Sequence, residues 1–192
     1  MLERVKQILI SEARAIENIP VTENIEKAVR AMLNCKGKVF TTGIGKAGYV
    51  AKKTASTLST TGTPSVFLHP GDAPHGDVGV VCRGDLLLTY SNSGRTREVI
   101  ETVHHAKHLG VDCVISITAS AASPLGELSD IVLEIGEIEE PCPLGLTPTA
   151  STSAMIALSD ALALTVMSER GFSKEDFAVR HHGGYLGIVS RQ

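Results

Sequence analysis

Leu86-Leu87-Leu88-Thr89-Tyr90-Ser91-Asn92-Ser93-Gly94-Arg95-Thr96-Arg97-Glu98 joins a short apolar run to a turn of hydroxyl, amide and glycine residues, and then to an amphipathic stretch. The first part reads as a buried strand, the last as the start of a helix. Between them, Ser-x-Ser-Gly-x-Thr brings three hydroxyls, those of Ser91, Ser93 and Thr96, to a helix N-terminus. Unpaired amides and a partial positive charge at such an end favour a dianion, so the turn reads as a phosphate site. An ordinary N-cap and turn would use the same residue types.

The pattern repeats on both sides of this unit. Two amphipathic stripes come first, Leu2, Val5, Ile8 and Leu9, then Ile25, Ala28, Val29, Met32 and Leu33, and predict two helices. Strand Lys38 to Thr42, helix Lys46 to Ser59, strand Ser65 to Leu68, strand Asp85 to Tyr90 and helix Thr96 to Leu109 follow. The series continues with strand Cys113 to Ile117, a short helical turn near Pro124, strand Ile131 to Ile135 and a long helix from about Ala150 to Arg170. Such alternation predicts an α/β fold: a parallel sheet with helices on both faces, a three-layer αβα sandwich. Ligands of open parallel sheets bind beyond the carboxyl ends of the strands. The long helix is apolar almost all round, which predicts a contact with another subunit in addition to the sheet, and hence a homo-oligomer.

At 192 residues the chain has room for one domain with a substantial core, and no Pro-rich, Ser-rich or charged tract divides it. A net charge of −3 argues against a broad surface for nucleic acid, so an anionic ligand is expected to be small and held locally. Cys35, Cys82, Cys113 and Cys142 show no CxxC spacing and suit reduced thiols. The first residues do not read as a signal peptide and no apolar run reads as long enough for a membrane span, so a cytoplasmic protein is expected.

Four loops hold the unusual residues. Gly43-Ile44-Gly45-Lys46-Ala47-Gly48 spells a dinucleotide fingerprint, yet the next strand ends in His69-Pro70 where an acidic residue would hold the ribose. Lys46 at a helix start opposes the helix dipole unless it faces an anion, and reads as a ligand residue. His69 to Asp77 packs two His, two Asp, two Pro and two Gly into a rigid irregular loop, a candidate for hydroxyl binding or proton transfer. No metal-ligand spacing occurs there; His104 and His108 stand i, i+4 on a helix face that reads as solvated, so no metal or cofactor is expected. Glu137-Ile138-Glu139-Glu140-Pro141-Cys142 crowds three carboxylates, which favours one with a pKa suited to a base. Glu137 and Glu139 read as a charged surface turn. Arg180-His181-His182-Gly183-Gly184 either reaches a neighbouring site or is plain surface.

From about Gly37 to Gly187, these segments resemble the SIS-domain sugar phosphate isomerases, and within them the D-arabinose-5-phosphate isomerases of the KpsF, GutQ and KdsD type. The resemblance lies in Gly43 to Gly48, Ser59-Thr60-Thr61-Gly62-Thr63-Pro64, His69 to Asp77 and Ser91-Asn92-Ser93-Gly94. It extends through Cys142-Pro143-Leu144-Gly145-Leu146-Thr147-Pro148-Thr149, Gly171 to Ala178 and His181 to Gly187. It implies a five-stranded parallel sheet, a homotetramer and reversible conversion of D-ribulose 5-phosphate into D-arabinose 5-phosphate, a step toward the acidic sugar Kdo. By motif matching, the family's active-site positions fall on Lys46, His75, Glu98, Glu140 and His181, and its phosphate-binding hydroxyls on Ser91, Ser93 and Thr96. The family usually has Glu at Arg95 and Pro at His182. Many members continue into paired CBS domains, whereas this sequence ends at Gln192: a single SIS domain is expected, either a natural short form or a chain from which the regulatory half was removed.

The expected chemistry is aldose–ketose isomerisation through an enediol. Glu140 is nominated as the base and His181 as the group moving protons between oxygens, with Lys46 and Glu98 orienting hydroxyls and His75 positioning the sugar chain. Another isomerase of the same family, such as a hexulose-6-phosphate isomerase, and a non-catalytic sugar-phosphate sensor are the alternatives.

Overall fold

A computed structural model describes residues 1–189 and Arg191. Helices α1 (Leu2–Glu17) and α2 (Glu23–Asn34) lead into β1 (Val39–Gly43), α3 (Gly45–Thr60) and β2 (Ser65–Phe67). Two single turns of 3₁₀ helix, Ala73–His75 and Asp77–Val80, precede β3 (Leu86–Tyr90) and α4 (Arg97–Leu109). Then come β4 (Cys113–Thr118), α5 (Pro124–Leu128), β5 (Ile131–Glu134), α6 (Ala150–Glu169), α7 (Lys174–Arg180) and α8 (Gly184–Val189).

All strand pairs are parallel and the order is β2-β1-β3-β4-β5. The chain moves from β1 outward to β2, then crosses back to β3 and builds the other half of the sheet. The order therefore reverses between β1 and β3, and the loops leaving these two strands diverge to open a crevice. Gly43 and Tyr90 are paired at the end of that junction.

The central strands are buried on both faces, which is why Leu86-Leu87-Leu88 reads as an unbroken apolar run rather than an alternating one. Leu86, Leu88 and Tyr90 pack with Ile115 and Ile117 under α2, α3 and α6. Phe40, Leu87 and Val114 face the other way, against Val99 and Val103 of α4 and Leu125 of α5. The three expected layers are present, and expected strand ends lie within about one residue of those observed.

Two expectations need correction. By length and composition, α6 does meet the criterion for a membrane-spanning helix, contrary to the reading that no apolar run is long enough. Half of that stretch is buried, where this chain's own α1, α2 and α3 pack against it. The core thus accounts for part of the apolar surface that pointed to a subunit contact through α6. An apolar face is also left open on α1, where Leu2, Val5 and Leu9 are all exposed, with Leu164 exposed on α6. The other departure is at the C-terminal end, where α7 and α8 were not foreseen.

Candidate active site

A cleft of about 300 Å³ opens at the β1–β3 junction, lined among others by Lys46, Ser91, Ser93, Thr96 and Ser151. Its phosphate-like corner is the turn after β3. Ser91 is buried and its hydroxyl lies 2.8 Å from that of Thr96, while Ser93 is exposed and accepts from the Arg95 amide at 3.2 Å. Thr96 is the N-cap residue of α4 but makes no side-chain cap bond, so the first-turn amides of α4 remain for an outside acceptor. Gly94 is required at the turn. Its φ is +61°, and a Cβ there would stand 2.0 Å from the Ser123 hydroxyl that caps α5.

The opposite wall is the start of α3. A Cβ on Gly48 would lie 2.6 Å from the Gly43 carbonyl, so the glycine pattern serves the close approach of helix to strand. That use is part of the dinucleotide fingerprint but does not need a dinucleotide. Lys46, in the first turn of α3, is exposed and has no ion pair among the described residues. It lines the same cleft as the hydroxyl-rich turn.

Tyr90 forms the floor. It is fully buried, and its hydroxyl donates to Thr54 of α3 at 3.1 Å and lies 2.8 Å from the Ser159 hydroxyl of α6. Burial pushes its pKa up to about 12, so it stays neutral through the working range.

Glu140 has a different setting from the one expected. Its carboxylate lies across the N-terminus of α6: Oε2 accepts from the Thr149 and Ala150 amides at 2.8 and 2.9 Å, and Oε1 from the Ser151 amide at 3.2 Å and from the Ser151 hydroxyl. Partial burial works to raise its pKa, but the Ser151 hydroxyl and the three amides outweigh it and hold the carboxyl below its ordinary value. Crowding by neighbouring acids was expected to give one of the three carboxylates a pKa suited to a base; in Glu140 hydrogen bonding, not crowding, sets the direction of the shift. Glu137 and Glu139 are exposed, as their surface reading required.

The remaining candidates do not converge on the cleft within one chain. Glu98 is half-buried in the first turn of α4, directly after the hydroxyl turn. His75 is exposed at the end of its 3₁₀ turn, and its ring has no hydrogen bond among the described residues. His181 ends α7, its ring stacked on Phe177 at 5.1 Å. No group of three or more His, Cys, Asp or Glu side chains with metal-binding geometry occurs among the described residues. The cleft also includes Ser151 and Thr152, which sequence reasoning missed. The hydroxyl-rich run Thr147 to Ser153 was the available signal.

Residues 32–165 match the profile of the SIS domain. The chain belongs to the SIS domain family. Arabinose 5-phosphate isomerase KdsD of Pseudomonas aeruginosa is 44% identical over 167 residues, covering 87% of this chain and 51% of the relative. This SIS chain therefore spans about half the length of the curated relatives it matches. Two solved SIS-fold structures match almost end to end. One, from Bacteroides fragilis and described as a phosphosugar isomerase involved in capsule formation, has a TM-score of 0.93 and 46% identity, covering 96% of this chain and 99% of its own. The other, an Escherichia coli CFT073 protein in complex with arabinose 5-phosphate, has a TM-score of 0.90 and 34% identity, covering 94% and 96%.

Proposed function

We propose that this SIS domain interconverts D-ribulose 5-phosphate and D-arabinose 5-phosphate through an enediol, in the cytoplasm, on the route to Kdo. The observation that carries this reading is the cleft at the β1–β3 junction, which Lys46 lines together with three hydroxyls at an uncapped helix N-terminus. Relatives named for this reaction, and a similar structure in complex with arabinose 5-phosphate, support the choice of substrate.

The phosphate is held by Ser91, Ser93, Thr96 and the first amides of α4. In the aldose-to-ketose direction a base takes the C2 proton, the C–H electron pair forms the C1=C2 bond, and the carbonyl oxygen gains a proton. The proton then returns to C1 and a hydroxyl proton is released, giving the ketose. Glu140 is the base. Its carboxylate is ionised at neutral pH, as a base requires, and it adjoins Ser151 in the cleft wall. Lys46 and Glu98 orient hydroxyls and stabilise charge on oxygen. His75 positions the sugar chain and His181 transfers protons between oxygens. Both histidines lie on loops that a neighbouring copy could present to the cleft. That arrangement accords with a homotetramer assembled over the exposed face of α1.

Assay with ribulose 5-phosphate tests the reaction, and Glu140→Gln tests the base. The variant is expected to bind substrate while kcat falls by roughly 10² to 10⁴. Exchange of the C2 proton of arabinose 5-phosphate in deuterated water is expected to stop. Exchange at the wild-type rate would transfer the role to Glu98 or His75.

A further inference from the structure

We propose that Ser151 is a positioning residue for Glu140: its hydroxyl occupies the one carboxylate acceptor site that the backbone does not hold, and vacates it when substrate enters the cleft. This rests on the reading of Glu140 as the base.

An ionised carboxylate has about four acceptor positions. On Glu140 three are filled by the amides of Thr149, Ala150 and Ser151, which are fixed by the start of α6 and cannot turn away. The Thr149 hydroxyl adds only a long contact of 3.5 Å to Oε2. The fourth position, on Oε1, is taken by the Ser151 hydroxyl, whose oxygen can swing to another staggered position about the Cα–Cβ bond. In this arrangement Glu140 has no lone pair free to receive a proton from carbon. Ser151 is fully buried and is also part of the cleft wall, so it is the link between the carboxylate and the space a sugar would fill. A substrate oxygen in the cleft gives the hydroxyl an alternative acceptor. Its rotation then exposes Oε1 on the substrate side while the three amides keep the carboxylate in place. The same hydroxyl would donate to a sugar oxygen, where negative charge develops.

Other charged and titratable groups near Glu140 are few. From α1, Arg4 donates to the Pro141 carbonyl at 2.5 Å, and Glu12 accepts from the Ser153 hydroxyl at 2.9 Å. Glu139 and Cys142 flank it on its own loop, and Lys46 of α3 lines the cleft. None of these is a direct hydrogen-bond partner of its carboxylate among the described residues.

The test compares Ser151→Ala and Ser151→Thr. Loss of the hydroxyl removes a donor to the ionised form, so the Glu140 pKa should rise, by on the order of one unit. The acid limb of kcat/KM should move to higher pH with it, and kcat should fall roughly tenfold with a smaller change in KM. Ser151→Thr should restore both. Titration of the Glu140 side-chain carboxyl by carbon NMR keeps the inference separate from the identity of the base. An unchanged Glu140 pKa in Ser151→Ala overturns the inference, even if Glu140→Gln has lost its proton exchange. A shifted pKa with an unmoved acid limb, when Glu140→Gln still exchanges, shows instead that Glu140 is not the base. An acid limb that shifts equally when Ser151→Ala is placed in a Glu140→Gln background also overturns the inference, because Ser151 would then act on another group.

Discussion

Ser93 has no structural duty beyond accepting one amide at the lip of the cleft, so its replacement should affect ligand more than fold. Ser93→Ala is expected to raise KM for the phosphorylated sugar about 10- to 100-fold, since a hydrogen bond to a charged group contributes roughly 1.5 to 3 kcal/mol. An unchanged KM would place the phosphate elsewhere. A second residue-level expectation concerns Cys142. Its sulfur accepts from the Leu146 and Thr147 amides at 3.2 Å, and these bonds lower its pKa to about 7. The thiols of Cys35, Cys82 and Cys113 are all shifted upward, Cys113 to about 11 by burial. At pH 7, iodoacetamide should label Cys142 first; equal labelling of Cys82, the exposed thiol, would contradict this. The hydroxyls of the Ser91 to Thr96 turn were legible in the sequence because the site is local: strand, turn and helix start are contiguous. The setting of Glu140 was not legible. It depends on a loop folding back over the start of α6, and no spacing rule records which helix end a loop will cover.

At the scale of elements, α6 is the piece on which the site and the core both depend. Glu140 caps it, Tyr90 ties it to β3 and α3, and Met155 joins the cleft wall to the core. The cap makes stability depend on acid. The folded value of Glu140 lies below its ordinary 4.5, so its contribution is complete above that value and is lost as pH falls through the lower folded one. Asp176, held down by the Ser173 amide and hydroxyl in the capping box of α7, acts in the same direction. Glu140→Gln should therefore flatten the decline of thermal stability below pH 4.5. A decline as steep as that of the parent chain would show that the cap is absent in solution. The central strands and long helices could be read from sequence because burial on both faces, or on one wide stripe, leaves a strong pattern. Helices α7 and α8 could not. They are 7 and 6 residues long, α7 buries none of its residues, and the capping box at Ser173 was the one local signal.

For the molecule as a whole, the all-round apolar character of α6 is used in large part within one chain, because α1, α2 and α3 pack against it, while Leu164 stays exposed. Among the exposed apolar side chains, Leu2, Val5 and Leu9 form an outward stripe on α1, the surface over which the proposed assembly would form. Sedimentation at micromolar concentration should give a tetramer, and Leu9→Glu should shift it toward smaller species. A monomeric parent chain would reject the assembly. Activity should be unaffected by a chelator, since the enediol route needs a base and charge stabilisation only; loss with EDTA and recovery with zinc would refute it. The buried phenol at the end of β3 has one more consequence, an optical one. The chain has three tyrosines and no tryptophan. Tyr49 and Tyr185 are exposed, while Tyr90 is sealed between sheet and helices. In an alkaline titration followed by phenolate absorbance, Tyr90 should respond only as the protein opens, so its late step counts unfolded molecules without any added label.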